Sequence, residues 1–426
     1  ELETQLGASF DYWLGKKVYF NIFDNVRLNR SRIARDFFSD TDEQNVVGGT
    51  PTTADPTNSM RNLTHKWTNE LTVKSTITPV KALMIMPKFS WNYCREKTDY
   101  HYGPLDTTAV RTSNTYEPSI FLKWKMSRVR NMDIAFAYNT TVPDLVSTLG
   151  YRNTIDPLHI YMGNPLLRNS HSHTTTYNYH RMWLRKQIVL GLNVSYNKDI
   201  NPIATLYRYN STTGAYESKP MNVKGGNMWK FGVNYDQGIG VYFRLMNKFK
   251  VLTSKSYGFL TIVDNNDPNA VPDLNLQKRL GIDENMELSY EAEKVQLTLF
   301  NDLQWNRYRY DDNTYNSSPL YNSLGISVRL KLSPFEMYIR LSDDFRKGYA
   351  TSEMNGHKLM SMASISYGFC KNKCRLSLFV DDIFNNDIWY DNNYSAFQRT
   401  ETTTNYMHHY ANLKFSYRFD AKAKKK

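Results

Sequence analysis

Cys370 and Cys374 bracket Lys371-Asn372-Lys373. Cysteines facing each other across a tight turn come within reach of a disulfide, and an oxidising compartment would favour the bond. The alternative is two unpaired small residues beside a turn. The pair alone makes a poor metal site, because no His or further Cys is near it in sequence. His171 and His173 share one face of an extended segment, and His408 and His409 are adjacent. Imidazoles spaced by two can help hold a metal or haem if other ligands come from elsewhere; the simpler account is polar residues near a loop. Asp264-Asn265-Asn266-Asp267 and Asp311-Asp312-Asn313 are oxygen-rich but lack the ligand spacing of a calcium-binding loop, and read as turns. Trp389, Tyr390, Tyr394 and Phe397 crowd one loop. Such aromatics either stack on a sugar or hydrophobic ligand or pack the loop on itself. No G-x-S-x-G element is present, and no nucleophile stands beside a base. No catalytic residue, metal site or cofactor is therefore expected, and the chain does not read as an enzyme.

The elements that carry these residues are strands. Hydrophobic residues make up 41% of the chain, below the usual globular share, yet aromatics reach 14% with 31 Tyr. Mean hydropathy is −0.59. A disordered chain would lack the aromatics, and no run of about 18 apolar residues offers a membrane helix. Polar on average but rich in Tyr, Phe and Trp suits strands with one wet and one lipid face. Three cysteines are too few for a disulfide-built scaffold. The net charge of +12 owes part of its size to Lys422, Lys424, Lys425 and Lys426. No secretory leader is seen, and Glu1 opens inside a strand-like pattern, which points to a removed leader or to a piece of a longer chain.

Parity along the chain supports this reading. Trp67, Leu71, Val73 and Ile77 alternate with Lys66, Thr68, Glu70, Thr72, Lys74 and Thr76, as a strand with one apolar face requires. Ile120, Leu122, Trp124 and Met126 repeat the pattern. So does His409–Phe419, with Leu413, Phe415, Tyr417 and Phe419 on one face and Lys414 and Arg418 on the other. Short turns (Thr78–Lys81, Ser127–Asn131, Leu184–Gln187, Asp236–Ile239, Ser333–Pro334, Lys371–Lys373) alternate with long loops. The loops fall at Arg30–Met60, Arg95–Ser113, Thr140–Ser170, Asp199–Gly226 (with a hairpin of its own), Leu252–Leu274, Lys347–His357 and Asn385–Tyr406. Segments of ~10 residues cross a bilayer at a tilt, and the short/long alternation is that of an outer-membrane barrel. A large soluble sandwich also alternates polar and apolar residues. It gives no reason for the regular loop lengths, or for Lys66, Glu70, Lys74, Lys123, Lys125, Arg329, Lys331, Glu336 and Arg340 on the polar face. In a barrel those side chains line a wet lumen.

The expected fold is an all-β transmembrane antiparallel barrel over 1–419, followed by a basic periplasmic tail, 420–426, in the cell outer membrane. Asn306-Arg307-Tyr308-Arg309-Tyr310 interleaves bases with rings as nucleic-acid grooves do. At the outer end of a barrel strand the simpler account is an aromatic belt with contacts to anionic lipid, so no nucleic acid is expected. About 17 strands are counted. An odd number, with short turns in the periplasm, implies that strands are missing ahead of this chain.

Three motifs resemble the TonB-dependent outer-membrane receptors, in the form typical of Bacteroidota. Leu376–Asn385 is similar to the penultimate strand, and Tyr410–Phe419, ending Ser-Tyr-Arg-Phe, to the closing strand. Gly163-Asn164-Pro165-Leu166-Leu167 is similar to a mid-barrel surface-loop element. Two features depart from the family: Arg168-Asn169-Ser170 replaces an expected Lys-Pro-Glu, and a seven-residue tail follows Phe419. The resemblance implies a 22-stranded barrel whose absent front holds a plug and the TonB contact. It further implies ligand import from the surface loops, with the TonB system, outer-membrane lipid and lipopolysaccharide, and a surface lipoprotein as partners. The competing reading is a non-transporting barrel that serves as a scaffold in a surface-assembly or lipoprotein complex.

Overall fold

The computed structural model describes residues 2–36, 38, 46–47, 50–51, 59–102, 105–154, 156–263, 273–311, 313–349, 352–371, 373–385, 389–394, 399–404, 407 and 409–419. Its main element is a sheet of 17 strands. These are β1 (Leu2–Leu14), β2 (Val18–Arg35), β3 (Met60–Val80), β4 (Leu83–Tyr102), β5 (Leu105–Ser127), β6 (Arg130–Thr141), β7 (Ser170–Trp183), β8 (Ile188–Ile200) and β9 (Asn227–Ile239). There follow β10 (Phe243–Phe259), β11 (Leu274–Glu291), β12 (Val295–Arg309), β13 (Leu320–Leu332), β14 (Phe335–Lys347), β15 (Gly356–Phe369), β16 (Cys374–Asp381) and β17 (Tyr410–Tyr417). Each pairs antiparallel with the next in sequence. This is the meander of an up-and-down barrel. Among the described residues β1 pairs only with β2 and β17 only with β16.

The apolar faces point outward, the reverse of a soluble sheet. Directly opposed residues in an antiparallel ladder share a face, so rows can be followed around the wall. One row reads Tyr177, Val194, Phe231, Val251, Ile282, Trp305 and Leu320 across seven strands. Another joins Leu288, Leu299, Ile326 and Leu341. Leu299 keeps 51% of its surface and Leu413 68%. Few large apolar side chains are buried, while Asn25, Thr72, Ser90, Ser289, Ser323 and Ser342 are. Between its two edge strands such a wall suits lipid, because the backbone groups of the inner strands are paired within the sheet and the apolar face meets hydrocarbon.

Short turns occupy one end. They include Gly15 and Gly240, whose φ angles of 64° and 65° suit a residue without Cβ. The opposite end carries the long connections, and three of them join in a second sheet of five strands. Its order is Ile262–Val263, Ile203–Tyr209, Tyr216–Asn222, His159–Met162, Arg152–Asn153. The hairpin expected within Asp199–Gly226 forms its centre. Leu206, Val223 and Phe259 make a small dry core there.

Several boundaries differ from expectation. Arg95–Ser113 is not a loop: β4 and β5 stay paired to Tyr102 and Leu105. Outside the hydrocarbon region a strand needs no apolar face, so parity gave no sign of the extension. Asp236–Ile239 belongs to β9, and the turn falls on 240–242. Within Asn385–Tyr406 an unexpected hairpin pairs Trp389–Tyr394 with Arg399–Thr404. The basic tail, 420–426, lies outside the described residues.

Candidate functional site

The inner wall is lined by charge from the strands whose even spacing puts every second residue inside. Asn25 and Arg27 on β2, Lys66 and Glu70 on β3, Cys94 and Glu96 on β4 and Arg111 on β5 surround a recess of about 310 Å³. Val142, Pro143 and Asp144 from the β6–β7 connection also line it. Arg111 Nη2 lies 2.9 Å from Glu96 Oε2, with only 23% and 11% of the two side chains exposed. Arg27 and Glu70 are 3.9 Å apart. Alternating cations and carboxylates in a partly dry recess suit a ligand or protein segment bearing both signs of charge.

A second charged stretch runs over β11 to β14, where Glu287, Asp302, Arg329, Tyr338 and Arg340 line a recess of about 400 Å³. Arg340 stacks its guanidinium 3.7 Å from the Phe300 ring centre. Glu336 lies 3.6 Å from Arg329 and also pairs with Arg375. Above this, Asp344 accepts from Ser323 at 2.6 Å and Tyr321 at 3.0 Å. Lys66, Glu70, Arg329, Glu336 and Arg340 thus stand inside, where sequence parity put them. Sequence reading missed Glu96 and Arg111, because both lie in the stretch taken for a loop.

The Gly163–Leu167 element holds the loop sheet together. Asn164 is buried, its Nδ2 donates to the Pro220 carbonyl at 2.8 Å, and its Oδ1 accepts from the Leu166 amide at 3.0 Å. Arg168 and Asn222 exchange two further bonds of 2.8 and 3.0 Å. A Cβ on Gly163 would sit 1.8 Å from the Leu149 carbonyl oxygen, so only glycine fits there. Next to it, Tyr100, Tyr151 and Tyr161 form a ring cluster with centroids 5.2 and 6.0 Å apart. Burial, first, and the neighbouring phenols push the Tyr151 hydroxyl well above its ordinary value.

Of the four loop aromatics, Trp389 and Tyr390 lie in the outer hairpin and Phe397 falls outside the described residues. Tyr394 stacks on Tyr308 of β12 at 4.2 Å, nearly parallel at 14°. Arg399 covers it at 5.3 Å, and its hydroxyl reaches Glu401 at 3.4 Å. Burial raises the Tyr394 pKa to about 12. The hairpin is therefore docked on the barrel rim through one of its aromatics, with Tyr394 spent on that contact.

His171 and His173 point outward with the aromatic belt. His171 stacks on Tyr138 at 5.6 Å, and His173 lies between Phe136 and Tyr196. His409 Nδ1 bonds the Asp382 carbonyl at 2.8 Å, while His408 lies outside the described residues. Among the described residues no three His, Cys, Asp or Glu side chains gather around a metal position. Cys370 and Cys374 stand as free thiols at the two ends of their turn, the first exposed and the second buried. The backbone at Cys370 and Lys371 is left-handed, with φ of 53° and 55°, as a tight turn there requires. Of the two acidic stretches, Asp264–Asp267 lies outside the described residues and Asp311 accepts from the Leu276 amide at 3.2 Å.

An antiparallel wall, apolar outside and charged within, with short turns at one end and structured loops at the other, defines an outer-membrane β-barrel protein. The chain belongs to the outer membrane protein beta-barrel family, whose model matches residues 106–417, and it resides in the outer membrane. No curated protein matches it. Among solved structures it is similar to "Copper transporter OprC", at 11% identity and a TM-score of 0.50, over 91% of this chain and 60% of that one. The "RagAB peptide importer in the 'closed-closed' state" aligns at 9% identity and a TM-score of 0.42, over 89% and 58% of the two chains. The "siderophore receptor PirA from Pseudomonas aeruginosa" aligns at 10% and 0.41, over 85% and 70%. The chain spans about 60% of the length of the first two. At such identities the likeness is one of fold.

Proposed function

We propose that this chain is the barrel wall of a TonB-dependent outer-membrane transporter of the Bacteroidota type. In this reading the surface loops bind a ligand and the lumen passes it inward. The observation that carries the reading is the charged inner wall: Arg27, Lys66, Glu70, Glu96 and Arg111 on one side, Arg329, Glu336 and Arg340 on the other. A barrel whose interior is only a filler does not need ionised side chains, which are costly to hold away from water unless paired or solvated. A plug and a TonB contact, carried outside the residues described, would occupy the lumen, and further strands would close the edges at β1 and β17. Trp389, Tyr390, Tyr394 and Phe397 belong to the ligand-receiving loop in this reading. Cys370 and Cys374 would pair when a periplasmic thiol oxidant takes two hydrogens from them; complete alkylation of both without reductant would exclude that.

The experiment is ligand accumulation by cells carrying the full-length protein, with and without the proton-motive force and TonB. Energy-dependent uptake is the expected result. A second reading, a scaffold that docks a surface lipoprotein, is favoured by the five-stranded sheet raised above the rim, which offers a shaped platform. Stable co-purification of a partner, with no energised uptake of any iron chelate, cobalamin, glycan or peptide offered, would select it over transport.

A further inference from the structure

The short-turn end of the wall is cationic. Six of its eight turns (15–17, 81–82, 128–129, 184–187, 292–294 and 370–373) hold lysine or arginine. Lys16 and Lys17 occupy the first, Lys81 and Arg128 the next two, and Arg185 and Lys186 the fourth. Lys294 stands in the turn after β11, and Lys371 and Lys373 in the one after β15. Against these nine cations the eight turns contain one acid, Glu293. The long connections run the other way, with five acids in 36–59, three in 260–273, and no Lys or Arg in either. The excess therefore belongs to one end of the wall and does not merely reflect the chain's net charge of +12.

All nine side chains are exposed. Among the described residues, no carboxylate forms an ion pair with Lys17, Lys81, Arg128, Lys186, Lys294 or Lys371. Rings on the strands themselves mark the lipid interface at this end. Tyr290 and Phe243 are directly opposed, with ring centres 5.1 Å apart, and Phe369 lies 5.7 Å from Tyr367. The turn cations come after these rings: Lys186 stands three residues past Trp183, Lys294 four past Tyr290 and Lys371 two past Phe369. They cap the strand ends on the aqueous side of the ring girdle, which for the short turns of an outer-membrane barrel is the periplasm.

Successive turns stand two strands apart, about 10 Å along the rim. A compact acidic partner meets one or two of them, and each exposed ion pair contributes little. An extended polyanion lying parallel to the membrane meets many at once, and its weak contacts then reinforce one another through multivalency. We propose that this rim is a docking surface for the peptidoglycan layer, whose stem-peptide carboxylates pair with the turn lysines and arginines. The spread of charge around the rim favours that polymer over a folded acidic protein. The position past the ring girdle favours it over lipid head groups. The surface is independent of what passes through the lumen.

The test is co-sedimentation of the full-length protein, in a non-ionic detergent, with purified peptidoglycan sacculi. Binding is expected at low salt and should weaken as ionic strength rises. Sacculi whose carboxylates have been converted to neutral amides should retain little protein. K16Q/K17Q/R185Q/K186Q/K371Q/K373Q, which removes six exposed ion pairs, should bind roughly tenfold more weakly or worse. The charge-conserving K16R/K17R/K186R/K371R/K373R should bind as the parent does. If the sixfold glutamine variant does not fold, K16Q/K17Q and K371Q/K373Q should each lose about threefold. Equal binding to amidated sacculi, or undiminished binding by the glutamine variants, would overturn the proposal. Release of the protein from sacculi by phosphatidylglycerol vesicles would also overturn it, by assigning the rim to lipid.

Discussion

Arg111 and Glu96 face one another across the β4–β5 ladder, and the guanidinium Nη2 stands 2.9 Å from the carboxylate Oε2. The pair lies in the recess that also holds Arg27, Lys66 and Glu70. Neutralising one partner leaves the other charge partly buried without its counterion. Glu96→Gln or Arg111→Met should each cost about 1–3 kcal/mol, less than a fully buried pair because both side chains keep some solvent. The double variant should cost less than the sum of the two singles. Guanidinium unfolding in detergent micelles reads all three values, and additive costs would mean that the pair is not coupled.

Gly163→Ala should disrupt the loop sheet and leave the barrel intact. The added Cβ meets the Leu149 carbonyl oxygen at 1.8 Å, and that neighbour is backbone. The Gly163 amide donates to the Tyr151 carbonyl at 2.9 Å, so the strain is set against a hydrogen bond that fixes the same loop. Asn164→Ala, which removes bonds to Pro220 and Leu166, should cost about 1–2 kcal/mol locally. Limited proteolysis should show cleavage within 142–169 in both variants, with strand content by circular dichroism unchanged. Loss of strand content would show that this loop is needed to form the wall itself.

The docked outer hairpin should loosen in alkali. Burial raises the Tyr394 pKa from 10.0 to about 12. The folded state therefore holds the phenolic proton more tightly than the undocked one. Its stabilising effect is complete below pH 10 and is lost as pH rises from 10 toward 12. Tyr394→Phe keeps the stack on Tyr308 and removes the titrating group, so it should abolish the alkaline transition at this site. The difference in absorbance at 295 nm between the parent and Tyr394→Phe reports it, and an identical titration of the two would contradict the assignment.

Side-chain parity made the wall legible in the sequence, because Trp67, Val73, Ile120 and Trp124 alternate with residues that water must reach. The lipid band and the inner lysines follow from that alternation alone. The same logic failed where both faces are wet. From Arg95 to Ser113 no apolar parity remains, so the upper half of the β4–β5 hairpin, with Glu96 and Arg111, read as a loop. The mixed sheet over the rim was legible only at its local hairpin. Its parallel pairings, His159–Tyr161 on Tyr216–Ser218 and Arg208–Tyr209 on Ile262–Val263, join connections far apart in the chain and leave no local pattern. For the same reason Tyr394 could be flagged as a loop aromatic, but its partner Tyr308 on another strand could not.

A charge placed on the outer face should cost energy in proportion to its depth. Ile326 lies midway along β13 and Leu332 at its turn, and both are exposed. Ile326→Arg should destabilise the barrel in lipid vesicles by about 2–4 kcal/mol, and Leu332→Arg by about 0–1 kcal/mol. Equal costs at the two positions would mean that this face of β13 does not cross the hydrocarbon layer.

Glu284 breaks the apolar rule of the outer face. It is opposed to Phe249 on one side and Leu303 on the other, and its Oε1 accepts from Asn247 Nδ2 at 2.7 Å. The two polar side chains satisfy each other where water is scarce, so removing the donor alone leaves a carboxyl group without its partner. Asn247→Leu should therefore destabilise the protein in vesicles by about 1–3 kcal/mol. Adding Glu284→Leu should restore most of that loss, because replacing both members of a buried polar pair with apolar groups of similar size is close to neutral. Unfolding of the two variants by urea from lipid vesicles, followed by tryptophan fluorescence, separates the cases. If the double variant is less stable than Asn247→Leu alone, Glu284 has a further partner on this face, and the pair is not self-contained.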